Sequence, residues 1–247
     1  MLTLLPCCLM SFFKNHGVLV TGGGRGIGRA IALAFATEGA DVFITSRTEK
    51  ELKCVTDEIN KLNVKGGYYV CDISDPRQVE KMSFEAINFL GKVDILINNA
   101  GIFLMSEAKD TSINEWQMVI NVNLNGMFYC THFILPGMIE RRYGTIINIS
   151  SMAGKKPYLK QSAYVASKFG IVGFSKTLAG ELKPYNIKVH VICPGGVDTT
   201  LVRQHNFPPG STIKPEEIAD IAVFLAKQRK EITIDEVMVR RYSSDPY

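Results

Sequence analysis

Gly17-Val18-Leu19-Val20-Thr21-Gly22-Gly23-Gly24-Arg25-Gly26-Ile27-Gly28 passes from an unbroken apolar run, through a glycine-rich turn, into a segment with helical apolar spacing. Gly17 to Thr21 reads as a buried strand, and Ile27 to Glu38 as a helix stopped by Gly39. A strand, a glycine turn and a helix in that order form the unit that receives a dinucleotide. Gly22, Gly26 and Gly28 permit a tight turn and let the backbone approach a pyrophosphate. The helix start adds free N–H donors and partial positive charge. The spacing Gly-x-x-x-Gly-x-Gly is one residue longer than the common fingerprint.

Strand and helix alternate outward from this unit. Asp41–Thr45, Gly66–Cys71, Val93–Ile97, Gly144–Ser150, Ile187–Cys193 and Glu236–Val239 read as strands. Helical patterns fill Glu49–Leu62, Pro76–Leu90 with Gly91 as stop, Ile113–Asn121, Asn123–Arg142, Gln161–Lys183 and Pro215–Lys227. Near-continuous apolar strands separated by helices need a parallel sheet covered on both faces. The expected class is α/β: a doubly wound, Rossmann-type parallel sheet of about seven strands with helices on both faces. Residues 11–247 are expected to form one domain, and residues 1–10 an apolar N-terminal extension. That extension lacks a basic leading segment and a cleavage site. It is also far short of the ~20 apolar residues a spanning helix needs, so no membrane span is expected.

A chain of 247 residues, 46% hydrophobic and 21% charged, suits one large α/β domain with a well-filled core. The net charge of +4 is mild and no dense basic block occurs, which excludes nucleic acid as the expected partner. The six cysteines (Cys7, Cys8, Cys54, Cys71, Cys130, Cys193) form no C-x-x-C pair. The four histidines, His16, His132, His190 and His205, are scattered, so neither zinc nor a disulfide framework is expected. Reduced thiols in a cytoplasmic protein are the expectation.

A second motif lies in Ser162-Ala163-Tyr164-Val165-Ala166-Ser167-Lys168. On a helix, residues four apart share a face, so the Tyr164 phenol and Lys168 ammonium come within mutual reach. A nearby ammonium favours phenolate, which is expected to lower the tyrosine pKa from about 10. One motif binds a dinucleotide and the other moves a proton; together they indicate an oxidoreductase.

Over roughly residues 16–240 the sequence resembles the short-chain dehydrogenase/reductase family. Thr21 to Gly28 follows that family's Thr-Gly-x-x-x-Gly-Ile-Gly, and Asn98-Asn99-Ala100-Gly101 its Asn-Asn-Ala-Gly. Asp72, with Ile73 beside it, stands where the family has an adenine-contacting Asp. Asn123 in Val122-Asn123-Leu124-Asn125-Gly126 matches the catalytic Asn site, and Ser151 lies thirteen residues before Tyr164, the usual spacing. Pro194-Gly195-Gly196-Val197-Asp198-Thr199 resembles the motif that walls the nicotinamide. The resemblance implies that Tyr164 gives the proton, Lys168 tunes it and binds the nicotinamide ribose, and Ser151 orients the substrate oxygen. It implies that Asn123 holds a relay water. It assigns strand-tying to Asn98. It also implies a homodimer or homotetramer formed through the two long helices, with Phe133, Met138, Ile171, Phe174, Leu178 and Leu182 as core or subunit-contact stripes.

Cofactor choice is read at the end of the second strand, where an acid would bind a ribose hydroxyl and repel a 2′-phosphate. Here that place is Thr45-Ser46-Arg47, and Arg25 sits just before Gly26. Two guanidiniums hold a phosphate by fork-shaped, charge-assisted bonds, so NADP(H) is expected, with Glu49 the one nearby carboxylate weighed against it. The expected activity is NADPH-dependent reduction of a carbonyl in a small-molecule substrate. The alternatives are an alcohol or hydroxysteroid-type dehydrogenase, a 3-oxoacyl-carrier-protein reductase, and a non-catalytic NADP(H)-binding protein. Intact Asn123, Ser151, Tyr164 and Lys168 count against the last. An acyl carrier protein is the candidate partner, because Arg142 matches the first of two docking arginines of those reductases while Tyr185 stands at the second. Lys155, Lys156 and Lys160 would add attraction for an acidic substrate. Substrate contacts are expected from Met152–Lys160 and Thr200–Lys214.

Overall fold

The structure is a computed structural model and describes residues 11–199 and 212–244. The expectations for residues 1–10, and most of those for Thr200–Lys214, lie outside the described residues.

Seven strands form one parallel sheet: β1 (Gly17–Thr21), β2 (Asp41–Ser46), β3 (Gly66–Val70), β4 (Ile95–Asn98), β5 (Gly144–Ile149), β6 (Ile187–Pro194) and β7 (Glu236–Val239). Their order is β3-β2-β1-β4-β5-β6-β7. The chain winds outward one way from β1 and then, from β4 on, the other way. The crevice beyond the C-terminal ends of β1 and β4 is therefore the switch point where such sheets take ligands.

Side chains alternate across each strand. Val18 and Val20 of β1 face one layer and Leu19 the other. The first layer holds α1 (Gly26–Thr37), α2 (Glu49–Asn60) and α7 (Pro215–Ala226), which contribute Ile31, Phe35, Leu52, Ile59, Ile218 and Ala222. The second holds α3 (Pro76–Leu90), α5 (Gly126–Arg141) and α6 (Ser162–Leu182), which contribute Val79, Met82, Ile134, Met138 and Leu178. α4 (Ile113–Ile120) precedes α5. Met138, Ile171, Leu178 and Leu182 are buried in this single chain, whereas Phe133 and Phe174 are only partly covered.

The ends of the helices follow local chemistry. Asp75 accepts from Arg77 N at 2.9 Å, with Pro76 in the first turn, and Gly91 closes α3 at φ 74°. Ser112 and Glu115 form a reciprocal capping box at α4. α1 differs: no side chain caps it, so its first N–H groups are left for another acceptor.

Three local features depart from the sequence reading. Between α4 and α5 the backbone makes a π-helical turn, Asn121–Asn125, where two separate helices were expected. β4 starts at Ile95, two residues later than expected. Asp94 before it still pairs through its backbone, its N donating to Gly17 O at 2.8 Å and its O accepting from Thr145 N at 2.9 Å, while its carboxylate accepts from Gly17 N and from Lys92, both at 3.1 Å. Before β1, Phe13 is 1% exposed and packs on Phe35 with ring centroids 5.1 Å apart. Among the described residues no helix is long and apolar enough to cross a membrane.

Candidate active site

A cleft of about 360 Å³ opens at the switch point. Gly22, Gly24, Arg25, Gly26, Ser46 and Arg47 wall one end, and Tyr164 and Lys168 the other. Asp72, Ile73, Asn99, Ala100, Gly101, Ile27 and Thr199 lie along it. The two motifs, far apart in sequence, thus share one cavity.

The glycine turn is shaped by steric need. Gly22 has φ +67° and Gly26 φ +55°, conformations that side chains disfavour. At Gly28 the constraint is space: a Cβ would stand 2.2 Å from Gly22 O and 2.5 Å from Asn99 Nδ2. That gap lets α1 press against the turn and aim its uncapped start into the cleft. Asn99 holds the arrangement, donating from Nδ2 to Thr21 O at 3.0 Å and to Gly22 O at 3.3 Å. Thr21 Oγ1 in turn accepts from Asn99 N at 3.0 Å and Ala100 N at 3.1 Å. Asn98 donates to Thr131 Oγ1 at 3.1 Å and Asn148 Oδ1 at 2.9 Å, tying β4 to α5 and β5. Asp72 is fixed by Ser74, whose hydroxyl donates to Oδ1 at 2.7 Å.

At the other end, Ser151 hydrogen-bonds the Tyr164 phenol and accepts from Ala153 N at 3.1 Å. The Lys168 ammonium is 5.6 Å from the Tyr164 ring centre and donates to Ile149 O at 3.0 Å. Burial raises the Tyr164 phenol to about 12, against which the Ser151 bond acts. Burial also lowers Lys168 to about 8. The expected lowering of the tyrosine is therefore corrected: exclusion of water outweighs anything the ammonium does at this distance.

Asn123, 1% exposed, sits on the π-helical turn. Its Oδ1 accepts from Ile102 N at 2.8 Å, and its Nδ2 donates to Ile102 O and Ser167 Oγ, both at 3.0 Å. Both amide hydrogens are spent on protein, so the side chain acts as a brace between the segment after β4 and α6.

A model of the family described as short chain dehydrogenase matches residues 16–208. The chain belongs to the short-chain dehydrogenase/reductase family. It is 34% identical over 230 residues to a 3-oxoacyl-[acyl-carrier-protein] reductase of Thermotoga maritima, covering 89% of this chain and 94% of that one. Among solved structures it is similar to a metagenomic short-chain oxidoreductase in complex with NADP, at TM-score 0.84 and 32% identity, covering 94% and 100% of the two chains. It is also similar to a variant actinorhodin polyketide ketoreductase with NADPH, at TM-score 0.87 and 29% identity, covering 93% and 98%. As a member of the family the protein is an oxidoreductase of α/β fold that uses a nicotinamide cofactor.

Within this short-chain dehydrogenase/reductase the remaining expected site residues fall as follows. Thr199 reaches the cleft, and its Cγ2 would stand 3.1 Å from a Cβ on Gly26. Pro194, Gly195 and Val197 form the strap behind it: Gly195 N donates to Val239 O at 2.7 Å, and Val197 is 3% exposed beside Ile213. Of the lysines expected to draw an acidic substrate, Lys155 is paired to Glu236 at 2.6 Å and Lys160 to Glu107 at 3.3 Å. Lys156 lies over the Tyr158 ring. Arg142 ends α5 and donates to Pro184 O at 2.6 Å. It stands before β5 begins, whereas Ser151 follows β5's end, so about 20 Å of strand separates Arg142 from the cleft of its own chain.

Several residues of the site escaped sequence reading. Ser167 bridges Asn123 and Tyr164 O, to which it donates at 2.7 Å. Ser150 donates to Lys168 O at 2.9 Å and fixes α6 beside β5. Phe103 meets the Tyr164 ring edge-on at 4.9 Å. Ser150 and Ser167 adjoin assigned residues, which is a usable signal; Phe103 carries none. The acid facing the arginines is Glu51, not Glu49, which lies 3.4 Å from Tyr68 Oη.

Proposed function

We propose that the protein is an NADPH-dependent carbonyl reductase with Tyr164 as proton donor. The observation that carries this is the meeting of Ser151, Tyr164 and Lys168 at one end of a glycine-walled cleft whose other end bears Arg25 and Arg47. The residues fit the cofactor: glycines leave backbone room, the uncapped start of α1 offers donors to a pyrophosphate, and the arginines suit a 2′-phosphate. Asp72 and Ile73 would flank the adenine, and Asn99, Ala100, Gly101, Thr199 and Lys168 the nicotinamide half. NADPH, when bound, supplies the hydride that a carbonyl carbon accepts.

The chain's own residues supply the rest. Ser151 and the Tyr164 phenol orient the substrate oxygen as placed donors for its developing charge. The phenol then gives its proton to that oxygen. A phenol held at about 12 keeps its proton through the neutral range, which suits a donor in the reducing direction better than a base in the oxidising one. Charged Lys168 eases the build-up of phenolate afterwards.

The test is NADPH oxidation against a panel of ketones and aldehydes. Tyr164→Phe is expected to lose about 10²–10⁴-fold in kcat while NADPH binding, read by fluorescence, survives. Wild-type turnover in that variant would sink the assignment.

A second reading, a 3-oxoacyl-carrier-protein reductase, is favoured by the name of the Thermotoga relative. Given where Arg142 lies, it would dock a carrier only at the cleft of a second copy. Under this reading a carrier-bound substrate beats a short free ketone in kcat/KM, and Arg142→Glu erases the difference.

A further inference from the structure

We infer that Glu51 limits the selectivity of the cleft for a 2′-phosphorylated nucleotide, by engaging Arg25 and holding its own charge where that phosphate would sit. The inference rests on the proposed use of NADPH and concerns how strong that preference is.

Glu51 lies in the first turn of α2 and lines the cleft. Its Oε1 is 3.5 Å from Arg25 Nη1. Its Oε2 and the Ser46 hydroxyl each stand 3.2 Å from the point where a Cβ on Gly24 would be. Carboxylate and hydroxyl thus bracket Gly24, beside the end of β2, where the ribose 2′ substituent is read. The partners differ in exposure: the Glu51 side chain is 32% exposed and Arg25 64%. The carboxylate, packed over Gly24, is the more covered member, and the arginine is the more exposed and free to turn. Arg47 lines the same end and has no acidic partner among the described residues.

A 2′-phosphate entering here meets one unengaged guanidinium, one already shared, and a carboxylate of like charge. Two arginines therefore act as fewer than two. Recruiting Arg25 requires parting it from Glu51, and the like-charge repulsion remains afterwards. A nucleotide without the 2′-phosphate incurs neither cost.

Adenosine 2′,5′-bisphosphate and 5′-AMP differ only in that phosphate and bind without turnover, so calorimetric titration isolates the effect. Glu51→Gln, which keeps size and removes charge, is expected to tighten the bisphosphate about two- to fivefold, within the range a partly exposed ion pair supplies. Binding of 5′-AMP should stay within about twofold. The gain should shrink when Arg25→Ala is added, as a coupled pair requires, leaving the part due to like-charge repulsion, and it should shrink as salt rises. Unchanged bisphosphate affinity in Glu51→Gln, with wild type still preferring the bisphosphate, would overturn the role of Glu51 and leave NADPH use standing. Weakened 5′-AMP binding would overturn it too, since Glu51 would then be a ribose-hydroxyl acceptor. Equal binding of both nucleotides by both proteins would remove the phosphate reading itself and this inference with it.

Discussion

Tyr164 and Lys168 are moved in opposite senses by one cause. Burial disfavours whichever form is charged, so the acid rises to about 12 and the base falls to about 8. The i, i+4 spacing put both groups on one face, and that much was legible. The sign of the tyrosine shift was not, because it depends on burial of the phenol, which spacing does not report. The kinetic consequence is specific. Lys168 discharges as pH rises through about 8, well below the ordinary lysine value of 10.5. If its charge supports proton donation, kcat/KM should decline across that range. Lys168→Arg keeps its charge at every accessible pH, so its lower activity should show a flatter alkaline limb. A wild-type profile level to pH about 10 would separate catalysis from the charge of Lys168.

Elements read well where burial is two-sided and poorly where it is local. The inner strands were visible as apolar runs, because a parallel strand covered on both faces has almost no polar positions, whereas the edge strands β3 and β7 are only partly covered and were shorter signals. The start of α3 was marked by Pro76; the caps Asp75 and Ser112 emerge from the structure. The π-helical turn was invisible: one extra residue in a turn leaves the apolar pattern of α4 and α5 nearly intact, yet it turns Asn123 inward. Removing that brace tests what it does. Asn123→Ala removes the side chain that pairs Ile102 N–H and C=O, at about 0.5–1.5 kcal/mol for each part-buried bond, and frees α6 at Ser167. Both melting temperature and kcat should fall, while Ser167→Ala, which removes only one of the three hydrogen bonds of Asn123, should lower each by less. Phe13 was also missed, since Phe12-Phe13-Lys14-Asn15-His16 shows no alternation. As a fully buried phenyl group it should cost about 3–5 kcal/mol in Phe13→Ala, read by denaturant unfolding. Deleting residues 1–10, which we propose to be an extension, should by contrast leave stability and turnover unchanged.

At the scale of the whole molecule, what the sheet and its layers leave uncovered decides how copies meet. Trp116 and Met118 of α4, Phe128 of α5 and Phe169 of α6 are between 42% and 48% exposed, although the same helices bury Met138, Ile171 and Leu178 fully. Phe128 already stacks edge-on against Phe174, at 6.1 Å, and lies against His132, so the rings are pre-ordered rather than loose in solvent. Large apolar groups gathered on one set of neighbouring helices mark an association surface. We propose that α5 and α6 pair between copies to give a homodimer. A second surface, Phe224 of α7 and Met238 of the edge strand β7, 54% and 48% exposed, would complete a tetramer. The two surfaces lie on different elements, so they can be broken separately. Light scattering on eluted protein should find a dimer or tetramer for wild type and a monomer for Phe128→Asp combined with Phe169→Asp. Phe224→Asp should stop at a dimer. A wild-type monomer at micromolar concentration would refute the interface and, because Arg142 lies about 20 Å of strand from its own cleft, would also remove the carrier-docking role proposed for that residue.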